Sequence, residues 1–128
     1  MKKLVYLVLV IAVIGLAINL FTNRASQDKD LAQKISALIE NGETQINLTE
    51  ITDFSWTQVR AFGPYTPDRA IEDLMGIKFK GDNGGIDTRD DRYLLIFADE
   101  KYAVKTAVLS RKHGAYGIKD NKILCVEQ

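Results

Sequence analysis

The residues able to do chemistry are few and scattered along the chain. His113 is the one histidine and Cys125 the one cysteine. His113 follows Arg111-Lys112 and precedes Gly114, so general-base work would have to rest on it or on a tuned carboxylate. A Cys125–His113 nucleophile pair would need an activated thiolate, yet Cys125 lies in an apolar strand pattern, where a thiol is usually inert and is expected to be buried. Asp82, Asp87, Asp90 and Asp91 crowd one loop, and an oxygen-rich loop suits calcium. The spacing does not follow the EF-hand template of acids at alternate positions with a distal Glu, and Arg89 and Arg92 stand among the acids as internal counter-charges. A zinc site would have to draw its remaining ligands from carboxylates, since the chain offers one His and one Cys. G-x-S-x-G, H-E-x-x-H and P-loop patterns are all missing. No residue is therefore assigned a catalytic or metal-binding role, no cofactor is implied, and the reading leans away from an enzyme.

Recognition chemistry is better represented. Tyr65 in the Gly63–Thr66 turn and Tyr116 in the Arg111–Tyr116 segment each offer a flat apolar face and a hydroxyl, the combination enriched at recognition surfaces. Arg60 and Arg111 can make bidentate contacts to an acidic partner. These residues, with His113, form the binding site expected from the sequence. The structural alternative is that both tyrosines are half-buried edges of the core.

Composition narrows the choice of partner. The chain has 128 residues and zero formal charge, but Lys2, Lys3 and Arg24 belong to the amino-terminal region, so residues 26 to 128 carry 14 basic and 17 acidic side chains. A net charge of −3 has no basic stripe for nucleic acid. One cysteine excludes an internal disulfide. The 46% hydrophobic and 27% charged fractions are those of a folded domain rather than a disordered one.

Leu4–Phe21 is uncharged, with Asn19 its one polar residue, and at about 1.5 Å per residue it nearly matches a hydrocarbon core. The sequence thus predicts a single transmembrane helix, with residues 1–25 as anchor and flank and 26–128 as one domain. Lys2 and Lys3 precede the run while Asp28 and Asp30 follow it, which puts the amino terminus in the cytoplasm and the domain outside the cell membrane. Secretion after cleavage is the alternative, the run being long for a signal peptide.

Thr22 to Lys29 reads as a polar linker. Leu31, Ile35, Leu38 and Ile39 then form one helical stripe, with Gln33, Lys34, Ser36 and Glu40 on the other side and Asn41-Gly42 as the stop. Gln45 to Ile51 alternates as a strand, and Gln58 to Phe62 is the next one. Thr66 is the expected N-cap of a short helix that has Pro67 at its first position, buries Ile71, Leu74 and Met75 and ends at Gly76. Tyr93 to Ala98 is a continuous apolar run of strand length, as in a central strand covered on both faces. Tyr102 to Leu109 alternates and pairs with it as a hairpin. An Asp120-Asn121 turn leads into a last strand, Lys122 to Val126.

Trp56, Phe62-Gly63-Pro64-Tyr65-Thr66-Pro67, the helix closing at Leu74-Met75-Gly76 and Tyr93-Leu94-Leu95-Ile96-Phe97 resemble a group of small secreted or membrane-anchored bacterial proteins of uncharacterised activity. The likeness covers roughly Asp53 to Tyr116. It implies location and fold more than activity, and because many of the group look like lipoproteins while this chain lacks the lipobox Cys, their mode of anchoring does not carry over. The expectation is an α+β domain: one antiparallel sheet of about five or six strands with two helices on one face. Its expected role is non-enzymatic binding of a protein, peptide or envelope component. A small secreted or anchored hydrolase and a structural subunit of an envelope assembly are the alternatives.

Overall fold

A computed structural model describes residues 2–21 and 23–127, without the side chains of 17–21. Its fold is α+β, as the alternation of apolar periods requires, but the sheet is divided. Helix α1 (Lys2–Phe21), strand β1 (Ser26–Gln27), helix α2 (Lys29–Glu40), strand β2 (Gln45–Asn47), the single turn α3 (Leu48–Ile51), strand β3 (Gln58–Phe62) and helix α4 (Asp68–Met75) come first. Strands β4 (Arg92–Ala98) and β5 (Ala103–Ser110), a 3-10 turn over Arg111–His113, and strands β6 (Ala115–Lys119) and β7 (Ile123–Glu127) complete the chain. A four-stranded sheet has the order β1-β5-β4-β3 and a three-stranded one the order β2-β7-β6. All pairs are antiparallel except β1 with β5.

The two helices expected on one face lie on opposite faces, and β4 supplies the reason. Its alternate residues Leu95 and Phe97 pack with Leu31, Ile35 and Ile39 of α2 and with Ile46, Tyr116, Leu124 and Val126 of the smaller sheet. Leu94, Ile96 and Ala98 pack with Ile71 and Met75 of α4 and with Ile77, Phe79 and Ile86 of the following loop. A strand apolar on both sides needs a cover on each, so each face of the sheet takes one helix. Leu74, expected in the buried stripe of α4, is exposed.

The transmembrane helix expected over Leu4–Phe21 is not found: among the described residues no helix is long and apolar enough to cross a membrane. The apolar side chains described in α1 run from Leu4 to Leu16, roughly 20 Å of helix against a hydrocarbon core about 30 Å thick. The rest of that expectation, the side chains of 17–21 and Thr22, lies outside the described residues. The linker expected over Thr22 to Lys29 is instead partly strand. Ala25 N–H donates to the Lys80 carbonyl (2.7 Å), Ser26 and Gln27 pair with Lys105 and Thr106, and Asp28 caps α2 by accepting from Leu31 N–H at 2.9 Å.

Three local expectations also change. The strand expected over Gln45 to Ile51 stops at Asn47, whose side-chain oxygen accepts from Thr49 N–H (3.1 Å) and so caps α3. The Thr66 hydroxyl donates to the Gly63 carbonyl (2.8 Å) rather than capping α4, whose N-cap position is Pro67. Cys125, expected to be buried, is half-exposed, because Leu124 and Val126 take the inward positions of β7 and the alternation turns Cys125 outward, opposite Gly117.

Candidate binding surface

The sheet has two distinguishable ends. β1 is parallel to β5, so the chain leaves α1 and enters the fold at the end where β5 begins, near the Asp99–Tyr102 turn. β3 and β5 finish at the opposite end, where β4 starts. Eight residues of β5 at about 3.3 Å each separate the two ends by roughly 25 Å.

The far end holds most of the residues singled out in the sequence. Tyr65 is 63% exposed, and its backbone is left-handed, with φ 63°. Pro64 before it and a positive φ at Tyr65 are the pattern of a type II turn, which ordinarily places glycine at this position. Left-handed backbone costs a residue with a Cβ about 1–2 kcal/mol. What holds Tyr65 there is its own N–H, which donates to the carbonyl of the fully buried Ile86, together with the Thr66 hydroxyl on Gly63. Gly63 in turn lies against the Tyr93 ring, where an added Cβ would come within 3.4 Å.

Tyr93 connects this turn to the second predicted segment. Its ring meets that of Tyr116 edge-on, with centroids 5.2 Å apart. Tyr116, expected at the binding surface, is only 8% exposed, and its hydroxyl donates to the Ser110 carbonyl at 2.7 Å. Burial, and then the neighbouring Tyr93, push its phenol up to about 12, so it remains a neutral donor within the core. Tyr116 is therefore a support for the far end rather than a contact. The alternation of β6, which turns Ala115 and Gly117 outward, dictates this.

Arg111 and His113 also lie at the far end, on the 3-10 turn. Arg111 N–H donates to the Asp91 carbonyl and its guanidinium to the Asp90 carbonyl, both at 3.0 Å. His113 is half-buried, and its buried Nε2 has no hydrogen-bond partner among the described residues. Arg60 is not brought to them. It lies on the α4 side of β3, and its Nη1 donates to the Leu74 carbonyl at 3.0 Å, at the carboxyl-terminal end of α4.

The aspartate loop ends beside this cluster. Asp91 accepts from Arg89 at 2.8 and 3.1 Å and from Arg92 at 3.0 Å. Arg92, then Arg89, hold its carboxyl well below the usual carboxylate range. The counter-charges expected from the sequence thus occupy this acid. Asp82 accepts from Gly84 N–H (2.8 Å), and Asp68 accepts from Asn83 (2.8 Å). No group of three or more potential ligands is arranged to hold a metal among the described residues.

Next to Asp91 and Arg92 opens a cleft of about 430 Å³, walled by Ala32, Ser36, Ala37 and Glu40 of α2 and by Val108 and Ser110 of β5. The polar side of α2, which sequence periodicity assigns to solvent, forms one wall of it. Only the pairing of β1, which stops short of Val108, could have revealed the cleft, and a two-residue strand has no period to read. No family model, no curated protein and no solved structure matches the chain.

Proposed function

We propose that this chain is a non-enzymatic binding module held at a membrane surface by its apolar amino-terminal segment and presenting the Tyr65 end to a protein, peptide or envelope component outside the cytoplasm. The observation that carries the binding reading is Tyr65. A large apolar side chain is exposed on backbone that penalises any residue but glycine, and such strain persists where surrounding structure enforces it and use retains it. Arg111, exposed at the same end of the sheet, adds a cation there, and His113 follows it with its Nε2 buried. Association with lipid is supported by Leu4, Val5, Tyr6 and Leu7, which are all exposed through a full helical turn, as are the large apolar residues onward to Leu16. Water does not favour a helix apolar on every side. The far end lies roughly 25 Å along β5 from the end where the chain enters the fold. With the domain outside the cytoplasm, added protease should digest residues 26–128 in spheroplasts without permeabilisation.

The test places a photo-crosslinking aromatic residue at position 65 and, as a control, at Leu74, which is 57% exposed at the other end. Crosslinked species are expected in intact cells from position 65 and not from Leu74. Equal labelling from both would end the proposal. Tyr65→Gly should make the fold more stable by about 0.5–1 kcal/mol, the relieved left-handed strain less the entropy glycine adds to the unfolded chain. A loss of stability on denaturant unfolding would mean that the tyrosine is there for packing.

A further inference from the structure

The outer edge of β5 is covered in sections. At its start Lys78 pairs with it, donating to the Lys101 carbonyl (2.8 Å) and accepting from Ala103 N–H (3.0 Å). β1 comes next, and Asp28 N–H donates to the Thr106 carbonyl at 2.7 Å. Beyond Thr106 no strand of the described residues pairs on that side. Main-chain groups alternate between the two sides of a strand. Thr106 faces outward, so Val108 and Ser110 do too. The Ser110 carbonyl is taken by the Tyr116 hydroxyl, which leaves the N–H and C=O of Val108 facing the 430 Å³ cleft beneath α2.

We propose that this cleft binds an extended peptide segment of a partner protein, which adds to β5 as a strand alongside Val108. The inference rests on the binding reading of the Tyr65 end and names the partner's chemistry. A donor and an acceptor on one residue of a sheet edge are matched by another extended main chain, whereas a helix has already used both groups internally. The α2 wall suits close approach, because Ala32, Ser36 and Ala37 are small, and with Arg92 and Asp91 of the lining paired to each other at 3.0 Å, Glu40 offers its carboxylate to a basic side chain on the incoming strand. Proteins commonly protect an open edge with lysine, proline or a bulge. From Ala107 to Ser110 there is none, and the irregularity in the β4–β5 ladder lies at the other end, between Phe97 and Ala98.

The full chain in detergent micelles, labelled for amide NMR, can be titrated with a blocked hexapeptide of alternating valine and threonine carrying one lysine. Saturable shifts centred on the Val108 amide, with its hydrogen exchange slowed at least tenfold, are expected. N-methylation of the two central peptide amides should weaken binding tenfold or more. Val108→Pro removes the outward N–H without touching the ladder to β4 and should do the same. Ala37→Arg, an exposed helical position, fills the cleft from the other wall and reads the same loss should the proline variant misfold. Undiminished binding of the N-methylated peptide, or of the peptide to Ala37→Arg, overturns strand addition. So does a concentration-dependent dimer of this chain that Ala37→Arg dissolves. Absent peptide binding with crosslinking at position 65 intact overturns the strand alone; peptide binding without that crosslinking supports the strand and removes Tyr65 from the surface.

Discussion

Phe97→Ala should lower the stability of the fold by about 3–5 kcal/mol, the range for deleting a buried aromatic side chain. Phe97 has no exposed surface, and the rings of Phe54 and Trp56 both meet it edge-on with centroids 5.2 Å away. Val59 pairs with it on one side and Lys105 on the other. The Lys105 ammonium lies 5.2 Å from the Phe54 ring and 3.7 Å from Asp28, so the ring that shields Phe97 is itself held by the residue opposite. Trp56 is tied from its far side, its Nε1 donating to Thr52 (3.0 Å) and Thr52 donating to the Leu48 carbonyl (2.8 Å). Truncation at Phe97 therefore leaves a cavity under two aromatic rings that are fixed from elsewhere and cannot collapse into it. Against a total stability of about 5–15 kcal/mol, a loss of this size places the variant near its unfolding threshold at moderate temperature. Denaturant unfolding followed by the fluorescence of Trp56, the chain's lone tryptophan, measures it directly. A loss under about 1 kcal/mol, well below the range for a buried aromatic, would show that the aromatic cluster is not a principal support of the core.

The same residues show what the sequence makes legible. β4 could be read as a buried central strand because both of its alternating sets are apolar, and its pairing with β5 comes from the short Asp99–Tyr102 turn. The α2 stripe and its core face agree as well, since a 3.6-residue period survives whatever the helix packs against. The division into two sheets is different. It depends on β2 pairing with β7, Gln45 opposite Cys125, far apart in the chain, and periodicity within a segment carries no information on such a distant partner. β1 has two residues and so no period at all, yet it decides how much of the β5 edge remains open. The site divides in the same way. Residue type and its place in a glycine-proline turn singled out Tyr65, and the structure leaves it exposed. Whether Tyr116 faced inward depended on the register of β6, one residue's shift of which exchanges its faces. The carbonyl waiting for Arg60 belongs to a helix end, and the length of that helix had to be known first.

Asn121→Ala is expected to destabilise the fold by about 2–5 kcal/mol, from unpaired backbone groups and left-handed strain together, although the residue is exposed and lies in a turn. Asp120 and Asn121 have φ of 55° and 53°, and Lys122 N–H closes the turn onto the Lys119 carbonyl at 3.2 Å. Two consecutive left-handed residues define the type I′ turn that suits a two-stranded connection, and Asn and Asp tolerate it better than other residues with a Cβ. The Asn121 side chain then leaves its own hairpin. Its oxygen accepts from Val59 N–H at 3.0 Å and its nitrogen donates to the Thr57 carbonyl at 2.9 Å. One amide thereby satisfies a donor of β3 and the acceptor of the residue just before it, as a neighbouring strand would, and it joins the smaller sheet to the edge of the larger one. Alanine removes both bonds, at about 1–3 kcal/mol for the groups left unpaired, and adds the left-handed penalty of about 1–2 kcal/mol. Asn121→Gly separates the two contributions, because glycine keeps the turn and loses only the bridge. The glycine variant should fall between the parent and the alanine variant, and hydrogen exchange at Val59 should quicken in both. If glycine matches the parent in stability and in Val59 exchange, the bridge contributes nothing, and the two sheets are held together by the apolar core alone.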